Sequence, residues 1–443
     1  MLMRRTVYED LLKWKNSDDR KPLLLQGVRQ CGKTYLLKEF GKENYDDVAY
    51  FTFEKNTVLH NLFQTDLDPK RLLDELSFMR NKKIEPGKTL LIFDEIQFCN
   101  RALTSLKFFC EEAPEFHVAC AGSLLGVMLS QPFSFPVGKV DRLKMYPMTF
   151  KEFLLANSED LIIEHMETNY PATSLSAPIA EKLTTYLNQY LVVGGMPAAV
   201  ASWVSKKDIA KVNAILDGII DGYKDDFAKH ASEYLPKLTL IWDSIPIQLA
   251  KENNKFVFGH VKTGMRSKDL EDALEWLVNA GLVYKVKKVD EPKAPLAIFA
   301  DNMNFKLYVS DVGILRRMVK MPSDFIFSED TEDKDFRSAI AENYVLCELL
   351  QNVDDIPCYW RSGATAEVDF VTQIEGIVIP IEAKAENKKS RSLTQYIIKF
   401  NPKVAIITTS RKNVSNVVRH VPLFAVWKIR DHVISAVKGH QDR

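Results

Sequence analysis

No run of apolar residues in this 443-residue chain approaches the roughly 20 needed to span a bilayer, so no membrane partner is expected. The segment Met1-Leu2-Met3-Arg4-Arg5-Thr6 lacks the apolar core of a signal peptide. Cysteine is scarce: six residues, at positions 31, 99, 110, 120, 347 and 358, share no zinc-like spacing. Scattered cysteines of this kind suit reduced thiols and a cytoplasmic protein. Charge of one sign is also missing in excess, because 59 Lys and Arg balance 59 Asp and Glu, and the bulk chain shows no bias toward a polyanionic partner. There is no low-complexity tract. What remains is an ordinary globular composition, 46% apolar and 27% charged, in a chain too long for one core.

The most specific signal is near the start. An apolar strand, Leu23 to Leu25, runs into Gly27-Val28-Arg29-Gln30-Cys31-Gly32-Lys33-Thr34, and a helical pattern with Leu36, Leu37 and Phe40 follows. Glycines in G-x-x-x-x-G-K-[ST] let backbone N–H groups and the helix N-terminus wrap phosphates. In such a loop Lys33 reaches the β- and γ-phosphates of ATP, and the Thr34 hydroxyl meets Mg²⁺. About seventy residues on, the buried-strand run Leu90 to Phe93 ends in Asp94-Glu95. A carboxylate at the carboxyl end of a parallel strand stands at the ligand crevice of the sheet, so Asp94 is expected on the Mg²⁺ hydration shell and Glu95 as the base that polarises water. The strand Phe116 to Ala121 ends in Gly122-Ser123, where Ser123 is either a γ-phosphate sensor or a plain turn serine. Strands near Val48 to Phe53 and Val140 to Met145 complete a doubly wound parallel α/β sheet of about five. Arg101 and Arg142 are candidate arginine fingers.

Taken in order, "GVRQCGKT", "LLIFDEIQ", "CAGSLLG", "YPMTFKEFL", "GGMP", "ALEWLVNAGLVYKV" and "FKLYVSDVGIL" resemble the bacterial and archaeal AAA-type P-loop ATPases fused to a C-terminal domain of unknown function. The resemblance runs from about residue 4 to the end of the chain and implies an AAA-like core that binds ATP. The expected division is a P-loop ATPase core over 1–155, a helical lid over 156–250, a winged helix over 251–323 and a C-terminal domain over 324–443.

The lid pattern is helical apart from Gly194-Gly195-Met196-Pro197, and its Asp225 and Asp226 read as a solvated face. In the winged helix, Ser267 caps a helix with Leu270, Leu274, Leu277 and Val278 on one face, Gly281 stops it, and strands Leu282 to Val286 and Phe305 to Val309 follow. Asp269, Glu271, Asp272 and Glu275 oppose Lys268 alone on that helix, so phosphates would repel it and a protein partner or self-association is expected there. The acidic stretch 324–335 marks a boundary.

The last domain carries charge in an odd place: Asp369 beside Phe370 and Val371, and Glu382 and Lys384 around Ala383 after Ile377-Val378-Ile379-Pro380-Ile381. Buried ionisable groups cost free energy unless paired or bound to metal. From Glu382 to Arg443, thirteen Lys or Arg stand against four acids, which suits nucleic acid at the C-terminal domain. This part resembles the PD-(D/E)xK restriction-endonuclease-like fold. The resemblance implies Asp369 and Glu382 as metal ligands, Lys384 as the water-activating or charge-stabilising group, Glu342 as accessory ligand and Gln395 as a weaker candidate. Val368 stands where that signature names proline. Two functions follow: an ATPase whose nucleotide state licenses metal-dependent nucleic-acid cleavage, or a signalling or scaffold ATPase whose last domains bind proteins.

Overall fold

The computed structural model describes residues 3–123, 136–171, 175–251, 255–324, 334–363, 366–384, 390–409 and 417–441. Most of the acidic stretch 324–335, Lys388, Lys389, Arg411 and Lys412 of the basic segment, and the end of "CAGSLLG" lie outside them. The chain divides into two compact units, Met1–Pro147 with Asn279–Gly281, and Met148–Val278 with Leu282–Arg443.

The first unit is built on β1 (Leu23–Gly27), β2 (Asp47–Thr52), β3 (Thr89–Asp94), β4 (His117–Ser123) and β5 (Asp141–Met145). They form one parallel sheet in the order β2-β3-β4-β1-β5. Strands β1 and β3 are buried at every position, as expected for parallel strands covered on both faces. The core beside β3 is aromatic: Phe53, Phe63, Phe93 and Phe109 meet edge to face with ring centroids 5.4 to 6.2 Å apart. Each such pair adds about 0.5–1.5 kcal/mol beyond the area it buries. This locks the end of β3 and with it the acidic pair that follows.

The second unit opens with helices Phe150–Ala156, Asp160–Asn169, Ala177–Val193, Pro197–Lys206, Ile209–His230 and Leu235–Leu249. Its sheet has seven strands in the order β12-β11-β10-β9-β8-β6-β7, with β6 at Val283–Val289, β7 at Ala300–Val309, β8 at Cys358–Ser362, β9 at Ala366–Ile374, β10 at Ile377–Glu382, β11 at Ala405–Ile407 and β12 at Val418–His420. Here the structure differs from a self-contained winged helix. The hairpin β6–β7 follows the helix Ser267–Asn279 as expected, but Lys288 and Val289 of β6 pair in parallel with Tyr359 and Trp360 of β8. An edge strand leaves a row of N–H and C=O groups unpaired, and β8 satisfies part of that row. The hairpin and the C-terminal strands therefore share one sheet. On the preceding helix, Leu270, Ala273, Leu274, Trp276 and Leu277 are buried, and the acidic face is partly neutralised within the fold by Lys285, whose Nζ lies 3.0 Å from Glu275 Oε1.

Four sequence motifs meet inside the second unit. Met148 N donates to Gly195 O at 2.7 Å, Gly195 N donates to Asp311 Oδ2 at 2.6 Å, and Phe150 N donates to Glu348 Oε1 at 2.7 Å. A Cβ on Gly195 would stand 2.0 Å from Met148 O, so only glycine lets these backbones close. Thr149 and Glu152 form a capping box on the helix Phe150–Ala156.

Candidate functional site

The phosphate loop sits between β1 and the helix Lys33–Asn44. Gly32, at φ 95°, turns the chain into that helix, and Gln30 is also left-handed at φ 66°. Gly27 cannot carry a side chain: a Cβ would lie 2.2 Å from Met145 O on the neighbouring β5. Lys33 is buried, and its ammonium donates to the carbonyls of Gly27 and Val28, 3.0 Å to each. In this arrangement the loop folds on its own lysine.

The two residues expected to share Mg²⁺ come together. Thr34 Oγ1 donates to Asp94 Oδ1 at 2.8 Å, bringing a hydroxyl and a carboxylate to one point at the carboxyl end of β3. A divalent cation bound with a nucleotide fits this donor set, since hard oxygens of these two kinds are what Mg²⁺ takes. Tyr50, which sequence reading missed, donates from its hydroxyl to Asp94 Oδ2 at 2.7 Å, with Lys38 Nζ 3.3 Å above its ring centre. Burial and the hydrogen bond to Asp94 push the Tyr50 hydroxyl pKa up. Its only sequence signal is an aromatic in the strand beside the acidic one.

Glu95 adopts left-handed backbone, φ 51° and ψ 42°, just past β3. For a residue other than glycine this conformation is strained, and such positions cluster where geometry is functional. Burial raises its carboxyl pKa, opposed by the hydrogen bond that Gln97 Nε2 donates to Oε2. A carboxylate with a raised pKa beside a phosphate loop has the basicity a water-polarising group needs. Ser123 closes β4 and pairs in register with Gly27. Arg101, a candidate finger, donates from Nε to Phe63 O and is held by its own unit. Of Val28, Arg29 and Cys31, the first and last are buried in the loop and Arg29 is exposed.

The C-terminal residues also gather, though with partners that sequence reading did not foresee. Asp369 Oδ2 accepts from Ala383 N at 2.8 Å, Lys384 Nζ lies 2.8 Å from Glu382 Oε1, and Tyr308 donates to Glu342 Oε2 at 3.0 Å. Lys306 on β7, fully buried, places Nζ 2.6 Å from Glu367 Oε1 and 3.8 Å from Glu342 Oε2. Arg361 Nε stands 3.9 Å from Glu367 Oε2. Burial, with Glu382 and Glu342 adding repulsion, drives the Asp369 carboxyl far up, and burial likewise raises Glu382. Lys384 is also pushed up: burial opposes this, but Asp369 and Glu382 outweigh it. A dication does not fit these carboxylates as they stand. Among the described residues no three His, Cys, Asp or Glu converge as a metal set, and Glu342, Asp369 and Glu382 each engage a donor or ammonium of this chain. Gln395 is exposed on the helix Arg391–Phe400. Asp225 is exposed on the helix Ile209–His230.

A strand, a glycine loop, a lysine and a paired threonine and aspartate define a P-loop nucleotide-binding domain. Residues 19–154 match the family model described as an AAA domain, residues 184–324 match a domain of unknown function (DUF8612), and residues 337–425 match another (DUF4143). An uncharacterized protein of Haemophilus influenzae is 23% identical over 433 residues, covering 92% of this chain and 93% of that protein. The uncharacterized protein MJ1637 of Methanocaldococcus jannaschii is 26% identical over 229 residues, covering 49% of this chain and 46% of that one. Among solved structures, the Thermotoga maritima RuvB Holliday junction branch migration motor is 14% identical, covering 64% of this chain and 90% of that one at a TM-score of 0.31. The Aeropyrum pernix Orc1 protein in complex with DNA is 12% identical, covering 73% and 92% at 0.26. Structural likeness at that level carries no argument, so the AAA assignment rests on the family match and the sheet.

Proposed function

We propose that the first unit binds ATP with Mg²⁺ and hydrolyses it. The hydrogen bond between Thr34 and Asp94 carries this reading, because it assembles the two Mg²⁺-facing groups beside the phosphate loop. Lys33 would leave the carbonyls of Gly27 and Val28 for the β- and γ-phosphates, and the loop amides would bind the remaining oxygens. Bound Mg²⁺ would supply positive charge to the γ-phosphate. Glu95 would orient water and take its proton, helped by the basicity that burial gives it. Lys33→Ala should abolish nucleotide binding, while Glu95→Gln should bind ATP normally and turn over at least about a hundredfold more slowly. Both are read by nucleotide titration and phosphate release, and wild-type turnover in Glu95→Gln would refute the assigned base.

For the second unit, the lysines paired with Glu382 and Glu367 favour a signalling or scaffold role over nucleic-acid cleavage. Its hairpin and preceding helix then serve protein contacts, and the ATP cycle works through domain rearrangement. Incubating the protein with DNA or RNA, Mg²⁺ or Mn²⁺, with and without ATP, decides between the two: cleavage lost in Asp369→Ala would restore the nuclease reading.

A further inference from the structure

The chemistry at Lys306 is independent of the ATPase reading. A fully buried ammonium is expensive, and this one lies in a strand whose neighbours Phe305, Leu307, Tyr308 and Val309 are all buried and apolar or aromatic. It is retained beside four acids, Glu342, Glu367, Asp369 and Glu382, where Lys384 pairs with Glu382 and the Arg361 guanidinium stands 3.9 Å from Glu367. Lys306 Nζ lies 2.6 Å from Glu367 Oε1 and 3.8 Å from Glu342 Oε2, ion-pair distances at which carboxylates compensate a buried ammonium. The lysine comes from β7, outside the stretch 337–425 that matches the C-terminal domain family, so the cluster is complete only when the hairpin joins the sheet.

We propose that Lys306 is a built-in counter-ion, standing where a dication would otherwise neutralise Glu342, Glu367 and Asp369, and that it keeps divalent cations out of this site. The four acids still outnumber Lys306, Lys384 and Arg361, so removing the Lys306 ammonium leaves excess carboxylate charge that a proton or a metal ion relieves. Tyr308 and Lys306 both engage Glu342, which takes that residue out of any ligand set the other carboxylates would form.

The test is Mn²⁺ titration of the full-length, nucleotide-free protein by calorimetry, for wild type, Lys306→Met and Lys306→Met/Asp369→Asn. Lys306→Met should bind Mn²⁺ about tenfold tighter than wild type or better, and the gain should vanish in the double variant. A folded Lys306→Met that binds no more tightly than wild type overturns the proposal, as does a gain that survives Asp369→Asn. If Lys306→Met does not fold alone, millimolar Mn²⁺ should restore its cooperative thermal transition, because the ion then supplies the missing charge. Failure of Mn²⁺ to do so also overturns it.

Discussion

Glu348 should make the second unit less stable as pH rises, and the size of the effect follows from its surroundings. The side chain is fully buried; Oε1 accepts from Phe150 N, and Oε2 has no hydrogen-bond partner among the described residues. Burial, with Glu152 adding like charge, pushes its carboxyl up to about 8 from an ordinary 4.5. The folded protein thus holds a proton that the unfolded chain has released between those two values. Below pH 4.5 both states are protonated and nothing is lost. Through the window from 4.5 to 8 the folded state is progressively penalised, and above about 8 the full penalty applies. At about 1.4 kcal/mol per pH unit, the gap is worth about 5 kcal/mol. Glu348→Gln keeps an oxygen for Phe150 N and does not titrate. Against wild type it should gain about 4 kcal/mol between pH 5 and pH 9, since a small part of the penalty is already present at pH 5, on the order of 10 °C in Tm, whatever fixed cost the buried amide carries. Asp311, raised to about 6 by burial, titrates in both proteins and cancels in the comparison. Thermal or urea unfolding across that range, followed by tryptophan fluorescence, measures it. A difference between the two proteins that stays flat within about 0.5 kcal/mol from pH 5 to 9 would refute the reasoning.

Two further outcomes test the geometry. Tyr50→Phe removes the hydroxyl that holds Asp94 Oδ2, so the Mg²⁺ concentration for half-maximal ATP hydrolysis should rise about three- to tenfold with kcat little changed, and an unaltered Mg²⁺ dependence would remove Tyr50 from the site. Gly195→Ala drives a Cβ to 2.0 Å from Met148 O and breaks the closure with Asp311, so it should cost about 3 kcal/mol or more in urea unfolding; a loss under about 1 kcal/mol would mean the backbones can part freely.

The P-loop site was legible in the sequence because its chemistry is local. Gly27 to Thr34 needs a strand before it and a helix after it, and Asp94-Glu95 needs only to end a buried strand, so short spacings and hydrophobic runs carry the information. The five parallel strands follow from the same runs. The hairpin β6–β7 was legible as a hairpin, but nothing in Val283–Val289 says which strand lies on its other edge. Asp369, Glu382 and Lys384 could be picked out as charges in apolar strands. The same rule applied to Asn304-Phe305-Lys306-Leu307-Tyr308 would have flagged Lys306.

The sequence by itself determined the phosphate loop, its acidic partner strand and a C-terminal cluster of acids with a lysine. Only the tertiary structure decided which groups neutralise that cluster. Lys306 and Glu367 lie sixty-one positions apart and meet at 2.6 Å, because a seven-stranded sheet places the hairpin beside the last domain's strands. Electrostatic compensation depends on distance in space, and no periodicity or spacing along the chain encodes a distance between strands that pair across such a separation.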